Sequence, residues 1–261
     1  MRPPQSSTTA SARNRVVGAA AIAFAVLWVI ENALFTVTGA VPYDAPIGDV
    51  VAYYANNRDA VAVISGLVAL YLPLLLVFVT GLHRLVAQRG AAGADWSHLA
   101  MAGGAALSAI FVLFNVTQIG LALSAPGLTD QTAAFELLWQ VHAASFGFAL
   151  PMAGTTCVGM ALAAHASGLT PPWQRLLGLV GGSLLLAAGI GCLAIAEGSG
   201  LIFVGLLGFV AWLVWLVATG LRLLRTKPGT TQWVVAGISA AAVLVAAALL
   251  APRGSQRSLP R

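Results

Sequence analysis

Residues Ala60–Leu82 read AVAVISGLVALYLPLLLVFVTGL, 23 positions without a charge. A bilayer's hydrocarbon core is about 30 Å thick and an α-helix rises about 1.5 Å per residue, so around 20 apolar residues cross it. The stretch is continuously apolar rather than alternating, which fits a lipid-embedded helix and not a barrel strand. A helix also bonds every backbone group within its own segment, as lipid demands.

Six further runs of this kind accompany it: Val16–Thr38, Leu99–Leu123, Ala133–Leu162, Leu176–Ala196, Leu201–Leu224 and Trp233–Leu250. The chain therefore reads as an all-α integral membrane helical bundle of about seven transmembrane helices over 16–251. Composition agrees: charged residues make up 8% of the chain, against about 25% in an ordinary soluble domain. A surface so poor in charge faces lipid. The run from Val16 continues well past the roughly 7–15 residues of a signal-peptide core, so it is expected to stay as the first span. The polar, Pro-, Ser- and Arg-rich ends, 1–15 and 252–261, are expected to be disordered.

Lysine and arginine set the orientation. With the N-terminus cytoplasmic, Arg13, Arg15, Arg84, Arg89, Arg175, Arg222, Arg225 and Lys227 fall inside. The outer loops then hold Arg58 as their one cation, with Asp44, Asp49, Asp59, Asp130 and Glu197. Trp96, Trp173 and Trp233 come at inner helix ends, as an interfacial belt requires. The basic tail, Arg253, Arg257 and Arg261, conflicts with seven spans and would favour six with a re-entrant last segment. The net charge of +5 is thus an orientation signal rather than a nucleic-acid footprint. The expected partner is the lipid bilayer, with no nucleic acid.

In the first outer loop Ile47, Val50, Val51 and Tyr54 recur at i, i+3, i+4 and i+7. This predicts a short amphipathic helix near 45–57, with Asp44 placed to cap it.

Depth counting gathers an unusual set of polar residues. Glu31 and Asn32 on the first span, Asn115 and Gln118 on the third, and Glu136, Gln140 and His142 on the fourth all fall in the outer half of the membrane. An acidic residue at a helix centre costs about +2.5–3.5 kcal/mol on insertion scales, so Glu31 needs a partner or a cavity. His142, or the amides of Asn115 and Gln118, are its expected partners. Two readings follow. The set forms an outward pocket for a small ligand, cation or proton, or it is interhelical glue that locks the bundle.

Other features are less informative. His83, His98 and His165 sit near inner helix ends at spacings that match no compact metal motif, so no metal is expected. Cys157 and Cys192 read as free thiols within spans. Tyr71 with Pro73, and Pro151, mark expected kinks, and Thr155 and Thr156 are placed to help satisfy the backbone that Pro151 frees near Gly147. Gly178 and Gly182 form a small-xxx-small pair for close packing, within the bundle or in a homo-oligomer or with a membrane partner. No internal repeat, phosphate loop, nucleophile elbow or zinc-protease helix appears, and no lysine within a span could carry retinal. No cofactor is expected.

Pro46, Val50-Val51-Ala52-Tyr53-Tyr54 and Arg58, followed by a second span ending in Gly81-Leu82-His83-Arg84, resemble a group of uncharacterised multi-pass membrane proteins of high-GC Gram-positive bacteria. The likeness runs over about the first 90 residues. It implies a bacterial plasma membrane location and no particular activity. Three functions stay open: a binding or transport protein using the outer polar cluster, a non-catalytic scaffold or partner subunit, and an intramembrane enzyme with a carboxylate/histidine acid–base pair.

Overall fold

The structure is a computed structural model that describes residues 7–128 and 132–225. Its elements are α1 (Ser7–Val37), α2 (Ile47–Asn56), α3 (Arg58–Ala87), α4 (Ala94–Ser124), α5 (Thr132–Ala166), α6 (Pro172–Ile190), α7 (Cys192–Ala196) and α8 (Leu201–Leu224). Among the described residues six helices, all but α2 and α7, are long and apolar enough to cross a membrane, and no strand occurs. The chain is an integral membrane, all-α helical bundle. The expected seventh span, Trp233–Leu250, and the basic tail lie outside the described residues, as does Asp130.

The six long helices form a ring in chain order. α1 packs on α3, α3 on α4, α4 on α5, α5 on α6 and α6 on α8, and α8 closes against α1. Large apolar side chains such as Leu70, Val112, Leu137 and Ile190 cover the outside, as a lipid-facing surface should. Inside, Phe24 meets Tyr71 edge-on at 5.4 Å, and Trp212, Trp215, Phe78 and Leu75 fill the middle.

Glycines let the ring close tightly. A Cβ on Gly182 would stand 2.5 Å from Val158 Cγ2 and 2.9 Å from the Gly154 carbonyl oxygen. Gly178 likewise faces the Ala161 methyl. Both members of the small-xxx-small pair are therefore used between α5 and α6 of the same chain. Gly93, which starts α4, adopts φ +86°, and a Cβ there would lie 2.8 Å from the Ala163 carbonyl oxygen. Only glycine meets both conditions.

Four local expectations are corrected. α1 begins at Ser7, so part of the 1–15 segment expected to be disordered is helical. Ala10 and Ala12 favour helix, and the nearest helix-breaking proline is Pro4. The fifth span is not one straight helix to Ala196. It stops at Ile190, turns at Gly191 and resumes as the single-turn α7. Gly189 and Gly191 weaken the helix there, while Pro151 and Leu201 press against them. Thr155 and Thr156 donate to the Pro151 and Met152 carbonyls at 2.9 and 2.7 Å, not to that of Gly147. Finally, α2 starts after Pro46 without a side-chain cap, so Asp44 does not cap it. Its C-terminus is closed by Asn57, whose backbone and side-chain N–H groups both reach the Tyr53 carbonyl, at 3.0 and 2.9 Å.

The two ends of the ring differ in charge. Arg13 donates to Gln88 at 2.7 Å, and Arg89 reaches the Ser167 carbonyl at 3.5 Å, at one end. The other end gathers α2, the 40–45 loop and the α7–α8 turn, where Asp44 lies against Gly198. In a Cys192→Ser background, Asp59→Cys in intact cells should react with an impermeant maleimide added outside, and Arg89→Cys should not. The reverse pattern would sink the assigned orientation.

Candidate functional site

At the α2 end the ring opens into a cavity of about 410 Å³. α1 and α5 face each other across it, with α4 and α8 as side walls. The 40–43 loop, Tyr53 and Tyr54 of α2, and Gly198-Ser199 form its roof.

Helical spacing explains the lining. On α1, Trp28, Glu31, Asn32 and Phe35 occur at i, i+3, i+4 and i+7, one stripe of a 3.6-residue helix. On α5, Trp139, His142 and Phe146 repeat the stripe, and on α8 Ile202, Leu206 and Phe209 do so. Trp28 and Phe209 stack at 4.2 Å, closing the α1–α8 side. Phe114 stacks on His142 at 3.9 Å, closing the α4–α5 side. The roof is tied down by polar contacts. The Trp139 indole N–H donates to the Tyr43 carbonyl at 3.2 Å, and the Thr38 and Tyr53 hydroxyls lie 3.1 Å apart. Tyr54 packs edge-on against Trp139 at 6.2 Å.

Burial pushes the phenols of the roof above their ordinary range. Tyr43 is raised by burial. Tyr54 is raised by burial and then by the neighbouring phenols of Tyr43 and Tyr53. Tyr53 is raised by burial, offset by its Thr38 contact. All three therefore remain neutral hydroxyls at ordinary pH.

Of the seven residues singled out from the sequence, the structure brings three together on the cavity wall: Glu31, Asn32 and His142. Glu31 is only 3% exposed. Its polar neighbour is Tyr71 of α3, not His142, Asn115 or Gln118 as expected. The phenol and carboxyl interact short of full hydrogen-bond geometry. Tyr71 is not among the residues of the cavity wall. Asn32 donates its amide nitrogen to the Trp28 carbonyl at 3.0 Å, which leaves Oδ1 as an acceptor. His142 Nδ1 lies 3.1 Å from both the Phe114 carbonyl oxygen and Thr117 Oγ1. The Thr117 hydroxyl itself donates to that carbonyl at 2.8 Å, so both neighbours accept from Nδ1. In the neutral ring the proton is then on Nδ1, and Nε2 keeps an acceptor lone pair.

The other four residues lie elsewhere. Asn115 and Gln118 turn into the α3–α4 seam, where Asn115 donates to the Ser65 carbonyl at 3.3 Å and Gln118 to the Ser65 hydroxyl at 3.5 Å. Glu136 and Gln140 are exposed on the flank of α5. At about 100° of rotation per residue, a helix that turns Phe135, Trp139, His142 and Phe146 inward carries both of them outward. Glu136 and Gln140 do share a face, as their i, i+4 spacing requires, but it is the wrong one.

The sequence reading missed Tyr71, Thr117 and the aromatic walls. The Trp28–Phe35 stripe was the available signal, since two aromatics flank two polar residues at helical spacing.

The inner histidines are arranged differently. The His83 and His98 rings lie 4.9 Å apart and His83 Nδ1 is 2.9 Å from the Ser97 hydroxyl. Among the described residues no group of three or more His, Cys, Asp and Glu is gathered to hold a metal.

Comparison with protein-family models, with curated proteins and with solved structures finds no match for this chain.

Proposed function

We propose that this protein binds a small amphipathic molecule from the outer leaflet, with the polar head at Glu31 and the apolar body among the aromatic side chains, and that it does so in a bacterial plasma membrane. The observation that carries this reading is the cavity itself. A 410 Å³ space with mainly aromatic and aliphatic walls and a few convergent polar groups is what small-molecule sites look like. A carboxyl that is 3% exposed at the wall of such a space is costly in lipid and marks a function by default. Asn115 and Gln118 fit the packing role instead, because their side chains bridge α3 and α4 through Ser65. An acid–base enzyme has less support, since among the described residues no metal set accompanies Glu31 and His142.

Photolysis of a benzophenone alkanol with the protein in lipid nanodiscs tests the pocket. Cross-links should be saturable and should fall on Trp28–Phe35 and Trp139–Ala153. Labelling confined to lipid-facing positions such as Val112 and Leu137, without saturation, would overturn it.

A further inference from the structure

We infer, resting on the pocket reading above, that the ligand is a hydrophobic amine in its protonated form, an ammonium group carrying an aromatic or branched apolar tail. Four observations converge on this chemistry.

The first is the sign of the wall. Among the described residues no lysine or arginine lines the cavity, and its one acidic side chain is Glu31. An anionic head would meet that carboxyl with nothing to neutralise either group. A zwitterion would leave its own carboxylate unpaired. An unpaired charge is costly in a dry, membrane-embedded site, so both are rejected.

The second is the direction of the hydrogen bonds. One N–H of the Asn32 amide and Nδ1 of His142 are committed to backbone carbonyls of the protein. They leave free Asn32 Oδ1 and His142 Nε2, which accept, and the second Asn32 N–H, which donates. The Glu31 carboxyl accepts as well. The Trp139 N–H is spent on the Tyr43 carbonyl. The acceptors nearest Glu31 call for a ligand with several donors at one point, while the hydroxyls of Tyr43, Tyr53, Tyr54 and Ser199 at the roof both donate and accept. An ammonium offers up to three, whereas an alcohol offers one.

The third is the aromatic enclosure. Trp28, Phe35, Phe114, Trp139 and Phe209 belong to the same wall as the carboxyl. Aromatic faces attract a desolvated cation, and clusters of them are the usual device for alkylammonium recognition. They bind the apolar tail equally well.

The fourth is the rim. Asp44, Asp49, Asp59 and Glu197 are all exposed on the loops of the α2 end, and Arg58 is the one cation of those loops among the described residues. Asp44 lies against Gly198, which itself lines the cavity. The field at the opening therefore draws cations and repels anions.

Tyr71 approaches the Glu31 carboxyl and is not itself among the residues of the cavity wall.

The test uses three probes that share one tail: phenylbutylamine, phenylbutanol and phenylbutyrate. Binding to the purified full chain in nanodiscs at neutral pH is measured by equilibrium dialysis, with protein-free nanodiscs subtracted for partitioning. The amine should bind about ten-fold or more tighter than the alcohol, because a charge-assisted hydrogen bond is roughly twice as strong as a neutral one. The butyrate should not bind. Glu31→Gln should erase the amine's advantage over the alcohol, while Glu31→Asp should retain most of the preference. Equal binding of amine and alcohol by the wild type, or a preference that survives Glu31→Gln, overturns the inference while the pocket reading stands. If none of the three binds and the benzophenone probe finds no saturable site, the pocket reading falls and takes the inference with it. The wild-type comparison decides the matter even if Glu31→Gln fails to fold.

Discussion

Gly182→Val should leave little folded protein. The methyl-bearing Cβ of valine would stand 2.9 Å from the Gly154 carbonyl oxygen, which is backbone and cannot rotate away. The contact is reciprocal, since a Cβ on Gly154 would meet the Gly182 carbonyl oxygen at 2.7 Å. α5 and α6 therefore touch backbone to backbone, and any side chain at the crossing must push two long helices apart. Overpacking of this kind costs about 3 kcal/mol, the upper part of its usual range. That is a large share of the margin by which a protein stays folded. Gly66→Val is the matched control, because Gly66 is exposed on α3 and a Cβ there meets nothing within 4 Å. Melting in detergent, followed by tryptophan fluorescence and gel filtration, should show Gly182→Val lost or strongly destabilised and Gly66→Val unchanged. Equal melting of the two variants would mean that the α5–α6 contact is wrong. A folded monomer from Gly182→Val alongside a wild-type dimer would instead restore the reading in which this pair joins two copies.

The spans could be read from sequence because lipid leaves the chain little choice. Each helix must be continuously apolar for about 20 residues, so Ala60–Leu82 announces itself and the breaks at Pro42–Asp59 and Pro171-Pro172 separate cleanly. The sequence expectation of an amphipathic segment in the first outer loop and the observed α2 meet for a related reason, the i, i+3, i+4, i+7 stripe that a half-buried helix needs. Counting residues at about 1.5 Å each puts Glu31, Asn32 and His142 at one level, and in the structure all three line one cavity.

Rotation about the helix axis was not legible in the same way. Every polar residue at the right depth looked like a member of one cluster, yet Glu136 and Gln140 are carried outward by the face that buries Trp139 and His142. Which face a helix turns inward depends on what its neighbours offer. In α4 and α5 the buried faces are marked by alanine, glycine and serine more than by an apolar–polar contrast. Both are apolar nearly all round, so hydrophobicity alone cannot phase them. Tyr71 was overlooked because Pro73 dominated the reading of its span. Its relation to Glu31 needs the α1–α3 packing that only the fold supplies. The break at Gly191 was hidden because an apolar run says nothing of whether its helix is continuous.

Ala149→Phe should abolish binding of phenylbutylamine and phenylbutanol alike, without unfolding the protein. Ala149 is 2% exposed and lies on the cavity wall about one turn from Phe146. A ring at this position points into the space that the probe tail would use. A phenyl group that can no longer be buried forfeits about 2–3 kcal/mol, so both probes should weaken by roughly a hundred-fold. The ring itself gains contacts with the aromatic wall, and cavity-filling changes commonly hold or raise stability, so the melting temperature should not fall. The pattern across variants is what discriminates. Glu31→Gln removes only the advantage of the amine, because it changes the charge and keeps the space. Ala149→Phe removes both probes, because it takes the space and keeps the charge. If both probes still bind Ala149→Phe with wild-type affinity, they occupy the lipid-facing grooves between helices, and Glu31 returns to being a buried carboxyl held by Tyr71 for the sake of the α1–α3 contact alone.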